Sequence, residues 1–124
     1  MAKIEFDLQH GLELGKEKLT HVELGELTAG DIIEAQMESE RVVNGPAGPV
    51  LVSSPALSGV LMLCRQIKRL GNIAGPLELD LLKKLHEEDL LLLEVKATEL
   101  GNAAAQAAQE MQERGRAAGD GAGD

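Results

Sequence analysis

The chain has 124 residues, a formal charge of −9, and Phe6 as its one aromatic residue, with no Trp and no Tyr. That length suits a single domain with one core, which must be aliphatic. The charge repels phosphate backbones and the stacking platforms for single-stranded nucleic acids are missing, so nucleic-acid binding is excluded. One cysteine, Cys64, rules out an internal disulfide and a thiolate metal cluster.

The first ten residues, MAKIEFDLQH, carry acids and no apolar block, so they do not read as a signal peptide. Residues 42–64 carry no charge, but Pro46, Pro49 and Pro55 make a continuous membrane-spanning helix there implausible. The reading is an intracellular, soluble protein without a membrane segment.

Ile4, Phe6 and Leu8, then Leu12 and Leu14, alternate with Glu5, Asp7 and Glu13, which predicts a strand kinked at Gly11. Gly15 and Lys16 supply a turn, and Leu19, Val22, Leu24 and Leu27 continue into a second arm, giving an N-terminal β-hairpin. Thr28-Ala-Gly-Asp31 is a capping-box variant, so a helix is expected from there to about Val43, with Glu34, Glu38 and Glu40 facing water. Asn44-Gly45-Pro46 should stop it. Residues 44–54 form an uncharged loop or short extended piece around Val50 and Val52, either packed or mobile.

The central element is expected over residues 54–71, with Ser54 as cap, Pro55 in the first helical position and Gly71 as the stop. On a helical wheel Leu57, Val60, Leu61, Leu63, Cys64, Ile67 and Leu70 cover about half the circumference. Burying seven such side chains is worth roughly 10 to 20 kcal/mol before entropy is subtracted. Arg65, Lys68 and Arg69 make this the one basic segment, and cations near a helix C-terminus complement its dipole.

A turn at residues 72–76 precedes a short helical segment carrying Leu77 to Leu85, with Asp80 as candidate cap. A last strong helix begins near His86, with Glu87, Glu88 and Asp89 in its positive first turn and Gly101-Asn102 as its end. Leu90, Leu93, Ala97 and Leu100 form one stripe; Leu91, Leu92 and Val95 form another. The second stripe is either a buried face of a two-sided helix or a surface kept for another chain. Residues 103–114 are a good intrinsic helix with almost nothing to bury, and 115–124 have the composition of a disordered tail. The expected architecture is α+β: a β-hairpin and three to four α-helices in one small domain over 1–101, then an Ala/Gln-rich helical extension and flexible Ala/Gly-rich tail over 102–124.

Little in the chain points to catalysis. His10, His21 and His86 are dispersed and lack metal-site spacing, although His10 and His21 could meet across the hairpin. Consecutive Glu87, Glu88 and Asp89 point in different directions on a helix and are accounted for by its dipole. No phosphate loop or nucleophile elbow is present. Cys64 lies on an apolar arc and reads as a buried structural thiol. No catalytic, cofactor or metal residues are assigned, and the expectation is a non-enzyme.

The succession of segments resembles the small tail assembly chaperones of Mu-like phages and prophages. Residues 12–16 and 22–24 of the hairpin, Leu27-Thr28-Ala29-Gly30-Asp31 at the first helix start, and residues 85–93 at the last carry the resemblance, which spans about 6–100. It implies binding to the tape measure protein, a long apolar helical polymer, while tail tube subunits assemble around it. It also implies a longer form, made by ribosomal frameshifting, that recruits tube protein, and a chaperone that works in the host cytoplasm and is absent from the mature virion. The partner surface expected on this chain is Leu91, Leu92 and Val95 with Leu57 and Leu61 of the central helix. The alternative is a small structural subunit that uses the same surface to self-associate into a dimer or ring.

Overall fold

The computed structural model describes residues 2–123, with side chains left aside at 104, 107 and 115–123. Strands β1 (Lys3–Leu14) and β2 (Glu17–Gly25) form the N-terminal hairpin, antiparallel from Lys3 opposite Gly25 to Leu14 opposite Glu17. Asp7 pairs with His21 but Leu12 pairs with Leu19, so the stretch from Leu8 through Gly11 stands against Thr20 alone. This bulge is the expected kink. Gly11 turns it with φ +80°, where a side chain would meet the carbonyl of Leu19.

Helix α1 (Ala29–Glu38) has the predicted capping box: the Asp31 N–H donates to Thr28 Oγ1 at 3.0 Å and the Thr28 N–H donates to Asp31 Oδ2 at 2.9 Å. It ends at Glu38, five residues short of the expectation, with Ser39 as its C-cap. Val42 and Val43 belong instead to β3 (Glu40–Gly45), which pairs with β4 (Gly48–Ser53) around the two-residue turn Pro46-Ala47. Adjacent β-branched residues prefer the extended backbone, and each arm carries them. The region expected as a loop is thus a two-stranded ribbon.

Helix α2 (Pro55–Gln66) starts as predicted, with the Leu57 N–H donating to Ser54 Oγ at 3.2 Å. It ends a turn early. Ile67 turns extended and opens β5 (Ile67–Leu70), which pairs with β2, and β6 (Ile73–Ala74) pairs with β5. Lys68 and Arg69 therefore lie on a strand, and Gly71, at φ +58°, turns β5 into β6 rather than stopping a helix. The main sheet has the order β1-β2-β5-β6 and is antiparallel throughout.

A single-turn α3 (Leu79–Leu82) follows, preceded by Glu78 with no side-chain cap; Asp80 sits in its first turn and does not cap it. Helix α4 (Glu87–Gly123) then runs through Gly101 instead of ending there. One glycine costs about 1 kcal/mol in a helix, which the Ala-rich run beyond it tolerates. The disordered tail expected at 115–124 falls outside the described side chains. Helix α4 lies on β1 and β2 and meets α2, which packs on α1. Between these layers, Leu12, Val22, Leu24, Ile67, Leu70, Leu93 and Leu100 form the aliphatic centre of the core, with Leu63 and Cys64 from α2 beside them.

Candidate protein-interaction faces

What α4 presents to solvent depends on how its first turn is fixed. The bulge in β1 turns the backbone N–H groups of Gln9, His10 and Gly11 away from the ladder, and buried or half-buried donors need acceptors elsewhere. Asp89 supplies them. Its Oδ1 accepts from Gln9 at 2.8 Å, its Oδ2 accepts from Gly11 at 2.9 Å, and His10 donates to both oxygens at 3.1 and 3.3 Å. The residue is 0% exposed. Its carboxylate, read from the sequence as one of three dipole-complementing acids, is therefore also the clamp that docks α4 on the hairpin. His86 caps the same turn, its Nδ1 accepting from the Glu88 N–H at 3.1 Å.

With that turn fixed, Leu93 and Leu100 are buried and Leu90 and Ala97 pack half-buried beside them, as the first stripe requires. On the far side Leu91 is 58% and Val95 54% exposed, while Leu92 is half-buried. Leu91 and Val95 line a shallow groove of about 310 Å³ with Glu94, Thr98 and Glu99. The groove's rim carries two acids, Glu94 and Glu99, of which Glu99 is paired with Lys96 at 3.6 Å; Lys96 also lies 5.9 Å from the Phe6 ring centre. Leu57 and Leu61 on α2 are half-buried, and Leu61 lines a separate cleft with Cys64, Arg65 and Leu77. The five residues expected as a partner surface do not form one groove: Leu91 and Val95 share one, and Leu61 belongs to another.

The sequence reading missed a second apolar surface. On the β3–β4 ribbon Val42 stands opposite Leu51 on one face, and Val43 opposite Val50 with Arg41 opposite Val52 on the other. All five aliphatic residues are exposed, Val42 to 69% and Leu51 to 60%. Ile33 and Met37 on α1 are exposed as well. The ribbon is anchored at its root, where buried Ser39 accepts from the Ser54 N–H at 3.2 Å and its hydroxyl donates to the Gln36 carbonyl at 2.7 Å. Two β-branched runs flanking a Gly-Pro turn were the signal that could have revealed it.

The basic segment turns out to be occupied internally. Arg65 reaches Glu34 at 2.7 Å, Glu38 at 3.0 Å and Asp31 at 3.4 Å, stapling α1 to α2, and Arg69 lies 3.6 Å from Glu23. Burial pushes the Cys64 thiol up, so it stays protonated in the core. His21 does not meet His10; it pairs with Asp7 at 3.0 Å, a contact that raises its pKa. His10 instead stacks on His86, ring centres 3.8 Å apart, and its Nε2 lies 3.2 Å from Glu88 Oε2. His10, His86 and Glu88 are the one trio of potential metal ligands among the described residues, but His86 Nδ1 is engaged as the cap and all three are exposed.

The family model described as tail assembly protein gp41 matches residues 8–116. The chain belongs to that family. Within it, the probable tail assembly protein gp41 of Escherichia phage Mu is 46% identical over 115 residues, covering 90% of this chain and 78% of the Mu protein. The probable tail assembly protein FS-gp41 of the same phage is 46% identical over 112 residues, which is 87% of this chain but 58% of FS-gp41. The Mu-like prophage FluMu protein gp41 of Haemophilus influenzae is 45% identical over 84 residues, 67% of this chain and 66% of that protein. No solved structure matches. The exposed aliphatic groups on α4 and on the ribbon are apolar surface that this fold leaves open to solvent. Among the described residues no helix is long and apolar enough to cross a membrane.

Proposed function

We propose that this chain is a non-enzymatic assembly chaperone that holds the tape measure protein of a long-tailed phage in soluble form while the tail tube assembles around it. The observation that carries the reading is the groove of Leu91 and Val95, open to solvent on a helix whose opposite face is buried. An amphipathic helix laid into such a groove buries its own apolar stripe, and basic residues flanking that stripe would meet Glu94 and Glu99. Half-buried Leu92 lies next to the groove in sequence, whereas Leu61 lines a separate cleft on α2, so Leu57 and Leu61 would form a second contact rather than extend the first.

Tail tube protein is the second partner, recruited by a longer form of the chain; the greater length of FS-gp41 is compatible with such a form. Residues 1–101 serve as the binding body and 102–124 as an extension beyond it. The chaperone acts in the host cytoplasm and leaves before the virion is complete, so it should be missing from purified particles by mass spectrometry.

Co-expression with the tape measure protein tests the central point. The soluble fraction of that protein should rise several-fold with the wild-type chain and fall back with the double variant Leu91→Asp/Val95→Asp. If the tape measure protein is equally soluble with and without this chain, the chaperone reading fails.

A further inference from the structure

The β3–β4 ribbon is apolar on both faces and open along both edges, and two-stranded ribbons are marginal in water on their own. We propose that β4 is a self-recognition edge, and that two copies of this chain pair β4 against β4 in antiparallel register about Leu51. This proposal is independent of the helix-binding groove on α4.

Charge selects a second copy over other occupants. Each chain carries −9, so copies repel over most of their surfaces. Residues 42–64 carry no charge, and β4 (Gly48–Ser53) lies wholly within that stretch. Here two like-charged chains can meet without placing like charges together. A basic partner would gain nothing from this edge, whereas the acidic rim of the α4 groove would attract it.

The backbone is self-complementary in the same place. Around a two-residue turn the flanking pair Gly45–Gly48 is hydrogen-bonded, and ladder alternation then directs the polar groups of Pro49, Leu51 and Ser53 outward. Proline has no N–H and therefore suits an outward position. Pairing about Leu51 sets Leu51 opposite its copy and Ser53 opposite Pro49. The two Leu51 residues exchange two N–H to carbonyl bonds, and each Ser53 N–H donates to the opposing Pro49 carbonyl. The missing proline donors fall at the ends of the paired segment. On one face Leu51 meets Leu51 of the other copy, and on the other face Val50 meets Val52, so the most exposed aliphatic residue of β4 becomes the centre of the contact.

The second edge of the ribbon discourages growth. Strand β3 begins with Glu40 and Arg41, and charged residues at an edge oppose further strand addition. An isologous contact through β4 closes at two copies.

Light scattering with size-exclusion chromatography should show a mass near twice 13.2 kDa at tens of micromolar, falling toward 13.2 kDa on dilution. Leu51→Lys places like charges opposite each other and should raise the dimer dissociation constant at least tenfold, while Met111→Lys, far along α4, should leave it unchanged. Because Cys64 is buried, Leu51→Cys adds one accessible thiol; mild oxidation should give a covalent dimer, and Met37→Cys on α1 should not. The proposal is overturned by a monomer at all concentrations, by an oligomer of any size that ignores Leu51→Lys, or by Leu51→Cys cross-linking no better than Met37→Cys.

Discussion

Replacing Asp89 with alanine should be among the most damaging single changes to this fold, although a sequence reader sees only the third of three consecutive acids. The carboxylate accepts from three successive backbone N–H groups of the β1 bulge, and it is the one fully buried acid among the described residues. Each N–H left without a partner costs about 1 to 3 kcal/mol when shielded from water. The bulge is only partly shielded, so the low end applies to three donors, and loss of an acid from the first helical turn adds up to about 1 kcal/mol. The expected loss is about 3 to 5 kcal/mol, a large part of the roughly 5 to 15 kcal/mol that holds a domain together.

Urea unfolding followed by far-UV circular dichroism suits the measurement, because the chain has no Trp or Tyr to report by fluorescence. With a slope of about 1.5 kcal/mol per molar urea, the midpoint should fall by about 2 to 3 M. Asp89→Asn retains one carbonyl acceptor but turns an NH₂ toward the backbone donors, and should lose about 2 kcal/mol or more. A loss below about 1 kcal/mol for Asp89→Ala, or wild-type stability for Asp89→Asn, would refute the clamp.

Gly11→Ala should cost about 1 to 3 kcal/mol by urea melt, since φ +80° strains an L-residue and the new methyl meets the Leu19 carbonyl. Arg65→Met leaves Asp31, Glu34 and Glu38 without their shared cation; thermal melts should show a loss of about 1 to 2 kcal/mol at low salt that shrinks as salt is added. The backbone N–H of Thr28, with its hydroxyl and the nearby Lys68 and Arg65, holds the Asp31 carboxyl below its ordinary 3.8. A depressed folded-state pKa contributes stability above the unfolded value and loses it as pH falls through the folded one, so Asp31→Asn should be less stable than wild type at pH 7 and indistinguishable from it near pH 2. Leu91→Asp/Val95→Asp should lower the unfolding free energy measured in urea by no more than about 1 kcal/mol, because both side chains are exposed and only helix propensity and like-charge neighbours are affected.

Local chemistry was readable wherever one short segment decides its own structure. Thr28 and Asp31 cap each other across three residues, Ser54 and Pro55 open α2, and Gly15 and Lys16 turn the hairpin, each requiring only neighbouring atoms. Element ends that depend on distant partners were not readable. Ile67 and Leu70 are spaced as well for a helix face as for the two buried ends of a short strand, and pairing with β2 across more than forty residues decides for the strand. Asp89 was misjudged for the same reason, since its hydrogen-bond partners lie some eighty residues away. The second stripe of α4 was visible, but its openness was not, because exposure of Leu91 and Val95 depends on what the whole fold places over them.

The two apolar surfaces differ in how they would choose a partner, and that difference follows from their surroundings rather than from hydrophobicity. Leu91 and Val95 sit among Glu94 and Glu99 on a rigid helix docked by Asp89, so an incoming chain must satisfy an acidic rim, and an extended strand would find no ladder to join. Leu51 sits in an uncharged strand with a free edge, where backbone register matters and a helix finds no groove. On the two proposals made above, strand pairing would serve a second copy and helix docking a foreign chain, and a dimer would present two such grooves to one helical partner. If pairing and docking are separable in this way, Leu51→Lys should weaken capture of a helical partner by no more than the loss of bivalency, with the affinity of a single groove unchanged. A loss of single-groove affinity in the monomeric variant would mean that ribbon and groove form one surface, and the division of labour argued here would be wrong.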